Sequence, residues 1–216
     1  IAKSGKKILF VATKKQAKDI VAEKAASVNM PYVIERWPGG MLTNFPTIRK
    51  AVKKMANIDK LMNDGTFSNL SKRELLQVTR QRAKLEKNLG SISDLTRLPS
   101  ALFVIDVMKE HIAVKEAQRL GIPVFAIVDT NSDPKAVDYL IPANDYTKDS
   151  IEVILNACCG AIAEGLEERK AEKADEKAAA EQAEEVAEAK PRRTRKARKE
   201  EAPAAEAAAT EAPAAE

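Results

Sequence analysis

Apolar positions along this chain fall into two kinds of block. Continuous apolar runs of strand length occupy residues 7–12 (Lys-Ile-Leu-Phe-Val-Ala), 31–34, 101–106 and 123–128, with a shorter one at 137–141. Runs that are greasy throughout, rather than alternating, suit parallel strands covered on both faces. Between them, apolar residues recur at three- and four-residue steps, the spacing of amphipathic helices. Ala17, Ile20, Val21 and Val28 mark one that runs to about Asn29; a second spans residues 110–120; Ile151, Ile154, Leu155, Cys158, Ile162 and Leu166 mark the last, over residues 147–169. Strands alternating with helices in this way predict an α/β fold, a parallel sheet flanked by helices through right-handed crossovers.

One stretch interrupts the alternation. Over residues 43–62 the stripe Phe45, Ile48, Val52, Met55 and Met62 is apolar, while Arg49, Lys50, Lys53, Lys54 and Lys60 take the other positions. Asp64-Gly65 then marks a turn, and Ser71-Lys72-Arg73-Glu74 reads as a capping box opening a second helix that ends near Gly90. Residues 43–90 are thus predicted to form an antiparallel helical hairpin. Each arm would reach roughly 30 Å at the rise of an α-helix, too long to wrap a small sheet. The hairpin is expected to protrude from a core built by residues 1–42 and 91–168.

The hairpin is entered through Glu35-Arg36-Trp37-Pro38-Gly39-Gly40-Met41-Leu42-Thr43-Asn44-Phe45, which holds the only Trp of the sequence. Two glycines permit positive φ or close backbone approach, Thr43 is placed to cap the following helix, and Pro46 falls in its first turn. A rigid elbow is predicted, in which Trp37 either fills the core or offers a platform for a stacked base. At the end of the first strand, Thr13 and Gln16 are spaced as a second capping box around Lys14 and Lys15. Two lysines in a first turn oppose the helix dipole, and a bound phosphate would reverse that sign. The alternative is a pair of solvated lysines. Gly5-Lys6 precedes a strand instead of following one, which rules out a phosphate loop there.

Charge is distributed unevenly. The net value of +4 conceals a first half, residues 1–98, in which Lys and Arg outnumber Asp and Glu by 20 to 8, and a segment 99–168 in which they are outnumbered 12 to 5. Such a half is suited to a polyanion. Because no apolar run approaches membrane-spanning length and no helix carries large aromatics on its apolar side, nucleic acid is favoured over a lipid surface.

Residues 169–216 hold, prolines aside, a single apolar side chain larger than Ala, Val186. Such a tail has too little to bury to offset the entropy of ordering and is predicted to be disordered. Its Ala/Glu/Lys-rich first part also allows a solvated helix held by i,i+4 charge pairs. Residues 190–199 read as a basic arm, followed by a low-complexity Ala/Pro/Glu ending.

Candidate chemistry is sparse. Cys158 and Cys159 are adjacent within a helical pattern and cannot staple distant segments, which suits a reducing compartment. His111 stands alone, so neither a zinc site nor a catalytic triad is supported. Asp106, Asp129 and Asp133 lie at predicted strand ends, where α/β sheets bind ligands, although turn and cap duty accounts for them equally. No catalytic residue, metal site or cofactor is assigned. The chain begins with Ile, so a preceding N-terminal segment is expected.

Three stretches together resemble the bacterial small-subunit ribosomal protein S-two family. They are the elbow at 36–45, with Pro38 where the family usually has Leu; residues 99–106 with Glu110, Val114, Glu116 and Gly121-Ile122-Pro123; and the loop at 128–134. With the turn at 13–16, the resemblance covers essentially residues 5–167. It implies a flavodoxin-like body without catalysis, bound to small-subunit rRNA between head and body, touching neighbouring ribosomal proteins and helping to dock the mRNA-capturing ribosomal protein S-one. It also implies a cytoplasmic, ribosome-bound protein that is neither membrane-associated nor a homo-oligomer. The RNA-facing positions it carries over are Thr13, Lys14, Lys15, Arg36, Trp37, Thr43 and Asn44; charge alone adds Arg49, Lys50, Lys53 and Lys54. The family's N-terminal segment, with a His-containing RNA-contacting motif and a first strand, is absent here, and the sheet is expected to be incomplete. The competing possibilities are a flavodoxin-like soluble enzyme using the Asp106/Asp129 edge, which lacks a phosphate loop and an activated nucleophile, and an RNA chaperone acting through the tail.

Overall fold

The computed structural model describes residues 1–64 and 71–188. Five strands, β1 (Ile8–Val11), β2 (Tyr32–Val33), β3 (Ala101–Ile105), β4 (Val124–Val128) and β5 (Tyr139–Pro142), form one sheet. Its order is β2-β1-β3-β4-β5 and every pairing is parallel. This is the order of flavodoxin-like sheets, and all five strands coincide with the apolar runs of the sequence.

The helices are α1 (Lys15–Ser27), α2 (Phe45–Asn63), α3 (Lys72–Leu89), α4 (His111–Leu120) and α5 (Lys148–Glu188). Because successive strand residues point to opposite faces, the continuous apolar runs divide between two cores. Leu9, Val11, Leu102, Val104, Val124 and Ala126 pack with the elbow, the base of the hairpin and α4. Ile8, Phe10, Phe103, Ile105 and Ile127 pack with α1 and α5, where Phe10 and Phe103 lie 5.2 Å apart and Cys159 is buried. Burial also raises the pKa of both thiols, as befits core residues.

Two helices form where the hairpin is predicted, and most of the apolar stripe of α2 is used, although Met62 at its far end is exposed. Phe45, Ile48, Ala51 and Val52 of α2 pack on the core, and farther along Met55 and Ile58 are buried while Arg82 of α3 pairs with Asp59 of α2. Ser71 caps α3 with a complete capping box: its backbone N–H donates to Glu74 Oε2 at 3.1 Å and its hydroxyl accepts from the Glu74 N–H at 3.4 Å. Gly65 of the predicted turn lies outside the described residues.

Two helix starts differ from expectation. The N-cap of α1 is Lys14, without a side-chain cap, because the Thr13 hydroxyl donates instead to Glu110 Oε1, as does the Thr13 N–H at 2.9 Å. The N-cap of α2 is Asn44 and not Thr43, with Pro46 in the first turn as expected. In both cases a distant carboxylate captures the threonine that local spacing assigned to the cap.

Residues 1–171 form one compact unit, and a second begins at residue 172. Helix α5 continues to Glu188, a helical extension that the Ala/Glu/Lys composition allows. The remainder of the predicted disordered tail, including the basic arm at 190–199, lies outside the described residues. Among the described residues no helix is long and apolar enough to cross a membrane.

Candidate nucleic-acid interface

The elbow is organised by a residue of α4. Ala113, Val114 and Ala117 dock α4 on the sheet, and this orientation buries Glu116 beneath the elbow. Its Oε1 accepts from Trp37 Nε1 at 3.2 Å and from the Gly40 N–H at 2.7 Å. Its Oε2 accepts from the Leu42 N–H at 2.9 Å, the Thr43 N–H at 3.1 Å and the Thr43 hydroxyl at 3.2 Å. Gly40 adopts φ +83°, a conformation that an L side chain resists, and this lets its N–H join the others. Burial alone would raise the pKa of Glu116. The backbone N–H groups of Thr43, Leu42 and Gly40, with the Trp37 indole, outweigh that and hold it below the ordinary glutamate value.

Trp37 is only 6% exposed and belongs to the core around Leu9 and Val104. Of the two roles open to it in the sequence, core filling is the one it takes; no ring face is presented for a base to stack on. Its indole N–H, which needs a partner when buried, is satisfied by Glu116.

Lys14 also turns inward. Its Nζ lies 2.8 Å from Asp145 Oδ1, 3.1 Å from Asp106 Oδ2 and 4.2 Å from the centroid of the Tyr146 ring. The side chain is 8% exposed. Burial lowers the pKa of an ammonium, but the two carboxylates outweigh it and raise Lys14 above the ordinary lysine value. The expectation that Lys14 and Lys15 converge on a phosphate is therefore corrected for Lys14, whose charge is neutralised inside the protein. The same contacts occupy the edge on which an enzyme would rely. Asp106, held at φ +69°, also accepts the Lys109 N–H at 3.1 Å. Asp129 accepts the Thr130 N–H at 2.7 Å, and Asp133 caps the short turn Pro134–Ala136. His111 is exposed, its Nδ1 3.1 Å from the Met108 carbonyl oxygen.

Among the other cations around the elbow and α2, some are engaged and some are not. Lys18 and Lys87 both pair with Glu35, at 2.7 Å and 3.3 Å, and Lys24 pairs with Glu152 at 3.5 Å. Arg49 donates to the Thr96 carbonyl, tying α2 to the loop after α3. In contrast, Lys15, Arg36, Lys50, Lys53 and Lys54 are exposed, and no side-chain hydrogen bond or ion pair engages them among the described residues. Lys50, Lys53 and Lys54, at i, i+3 and i+4, share one face of α2. Asn44 is exposed at the start of that helix, its Oδ1 accepting from the Thr47 hydroxyl at 2.8 Å.

A flavodoxin-ordered body whose strand-end carboxylates are occupied, and whose elbow and hairpin carry unpaired cations, defines an α/β scaffold protein. Comparison with known proteins gives the family. A family model described as Ribosomal protein S2 matches residues 1–165, and the chain belongs to that family. It is 84% identical over 181 residues to the small ribosomal subunit protein uS2 of Phocaeicola vulgatus, an alignment covering 84% of this chain and 65% of the relative. Identity to the protein of the same description from Bacteroides thetaiotaomicron is 81% over the same coverage. With that of Flavobacterium johnsoniae it is 70% over 173 residues, 80% of this chain and 68% of the relative. The chain thus spans about two-thirds of the length of these relatives.

Glu116 is the functional residue that charge-based reasoning misses. It stands within the central signature, yet a negative side chain gives no sign in the sequence that it gathers the N–H groups of the elbow.

Proposed function

We propose that this protein is a non-catalytic structural component of the small ribosomal subunit in the cytoplasmic ribosome, seated on rRNA by the elbow and the cationic face of α2. The phosphate-facing groups are Lys15, Arg36, Lys50, Lys53 and Lys54, with Asn44 beside them and Arg49 at the margin. Lys14 and Trp37 act from beneath, and Thr13 and the exposed Thr43 are tied to Glu110 and Glu116, so that the four fix the two turns from which the exposed cations project. The observation that carries this reading is the division of charge. Lys14, Lys18 and Lys24 are matched by carboxylates, whereas Arg36 on the elbow and Lys50, Lys53 and Lys54 on one face of α2 are exposed with no partner among the described residues.

Membership of the family supports a place beside neighbouring small-subunit proteins and a part in docking the mRNA-capturing ribosomal protein S-one, as a single copy and not a homo-oligomer. The test is the salt dependence of binding to small-subunit rRNA. Removing one phosphate-binding cation lowers the log–log slope by roughly 0.7–0.9. Alanine at Lys15, Lys50, Lys53 or Lys54 is expected to lower it by that amount, and Lys14→Ala to leave it unchanged. A slope identical in wild type and in the combined Lys50, Lys53 and Lys54 variant would refute the assignment.

A further inference from the structure

Between the elbow and the base of the hairpin runs a groove of about 340 Å³, within the roughly 300–1,000 Å³ typical of ligand clefts. Pro38 from the elbow, Ile48 from α2 and Leu85 from α3 supply apolar walls. Arg36 and Lys84 stand at it too, both exposed and without an ion-pair partner among the described residues, and Asn88 adds an amide. Ile48 and Leu85 reach it from the edge of the core, against which each is only partly buried.

We infer that this groove receives a single unpaired nucleobase of RNA, its faces against Pro38, Ile48 and Leu85 and its flanking phosphates on Arg36 and Lys84. The inference rests on the RNA-facing role proposed above and names what that surface recognises beyond phosphate. A slot that is apolar within and cationic at its rim matches a nucleotide splayed from its strand: the base face is apolar, the base edge hydrogen-bonds, and negative charge lies on either side. A uniformly cationic surface would suit the outside of a duplex, which needs no slot. Gly39 lines the same groove. Its φ is not positive, and a Cβ built there meets nothing within 4 Å, so a larger side chain is accommodated by the backbone and takes up open space.

The experiment uses the full chain and two single-stranded RNA octamers of equal charge, one carrying 2-aminopurine at its centre and the other an abasic ribose. Wild type is expected to bind the base-bearing octamer roughly tenfold more tightly, in line with the stacking contribution of one base, with a change in 2-aminopurine fluorescence. Gly39→Leu is expected to erase that preference with its thermal unfolding unchanged. Lys84→Ala should weaken both octamers by the same factor. Equal binding of the two octamers by wild type overturns the inference, and is also the result if the groove instead houses an apolar side chain of a neighbouring protein. Because that comparison needs no variant, it stands even if Gly39→Leu misfolds. Absence of the base preference beside an intact salt response at Lys50, Lys53 and Lys54 defeats the groove alone; a flat salt response defeats the wider interface as well.

Discussion

Glu116 receives five donors and has no ion-pair partner among the described residues, so its carboxylate is held mainly by directed dipoles. Glu116→Gln replaces one acceptor oxygen with an NH₂ group aimed at N–H groups. Hydrogen bonds to a charged group are worth about 1.5–3 kcal/mol, and a destabilisation of that size is expected in denaturant unfolding at neutral pH. Because the folded pKa of Glu116 is depressed, its contribution is complete above the ordinary glutamate value and lost as pH falls through the lower folded value. The difference between Glu116→Gln and wild type should accordingly vanish in acid. Lys14 carries the opposite sign: its raised pKa keeps its contribution whole below the ordinary lysine value and loses it only as pH climbs through the higher folded one. Lys14→Met leaves Asp106 and Asp145 without their cation and is expected to cost about 3–5 kcal/mol, measured by urea unfolding. These two residues mark where the sequence stops being legible. Lys14 reads as a phosphate ligand because its nearest neighbours are a strand end and a helix start, while the carboxylate that claims it lies 131 positions away.

At the scale of elements, legibility was high and its failures share one cause. Strands follow from unbroken apolar runs and helices from spacings of three and four residues, both of which are local, and so is the capping box of Ser71 and Glu74. Thr13 and Thr43 miss their expected roles because Glu110 and Glu116, brought close by the crossover through α4, compete for their hydroxyls. The cationic stripe of α2 survives folding because its positions were fixed by helical period alone. Lys50, Lys53 and Lys54 are offset from Phe45, Ile48 and Val52, so docking the apolar side on the core turns the lysines outward. If all three touch phosphate, their combined removal lowers the salt slope by roughly 2–3, a change easily separated from that of one lysine.

For the molecule as a whole, charge counted along the sequence overstates what is available to a partner. Several first-half cations are neutralised by carboxylates, some from the acidic second segment, such as Asp106, Asp145 and Glu152, and others from nearby, such as Glu35 and Asp59. What remains is fewer free cations than the count suggests, among them the cluster of Lys50, Lys53 and Lys54 on one face of α2.

The bonds from the elbow to Glu116 join positions 73 to 79 apart, and this sets a timetable. While the polypeptide is being made from its amino end, the elbow has emerged long before the carboxylate that shapes it. Closure of so long a loop is slow relative to helix formation, so the hairpin can wind early while its attachment stays unformed. A chain ended at residue 110 should therefore show rapid amide exchange at Gly40, Leu42 and Thr43, and protection there should appear only once α4 is included. The elbow is thus completed late, by a helix that the chain reaches only after the whole hairpin and β3 have been made.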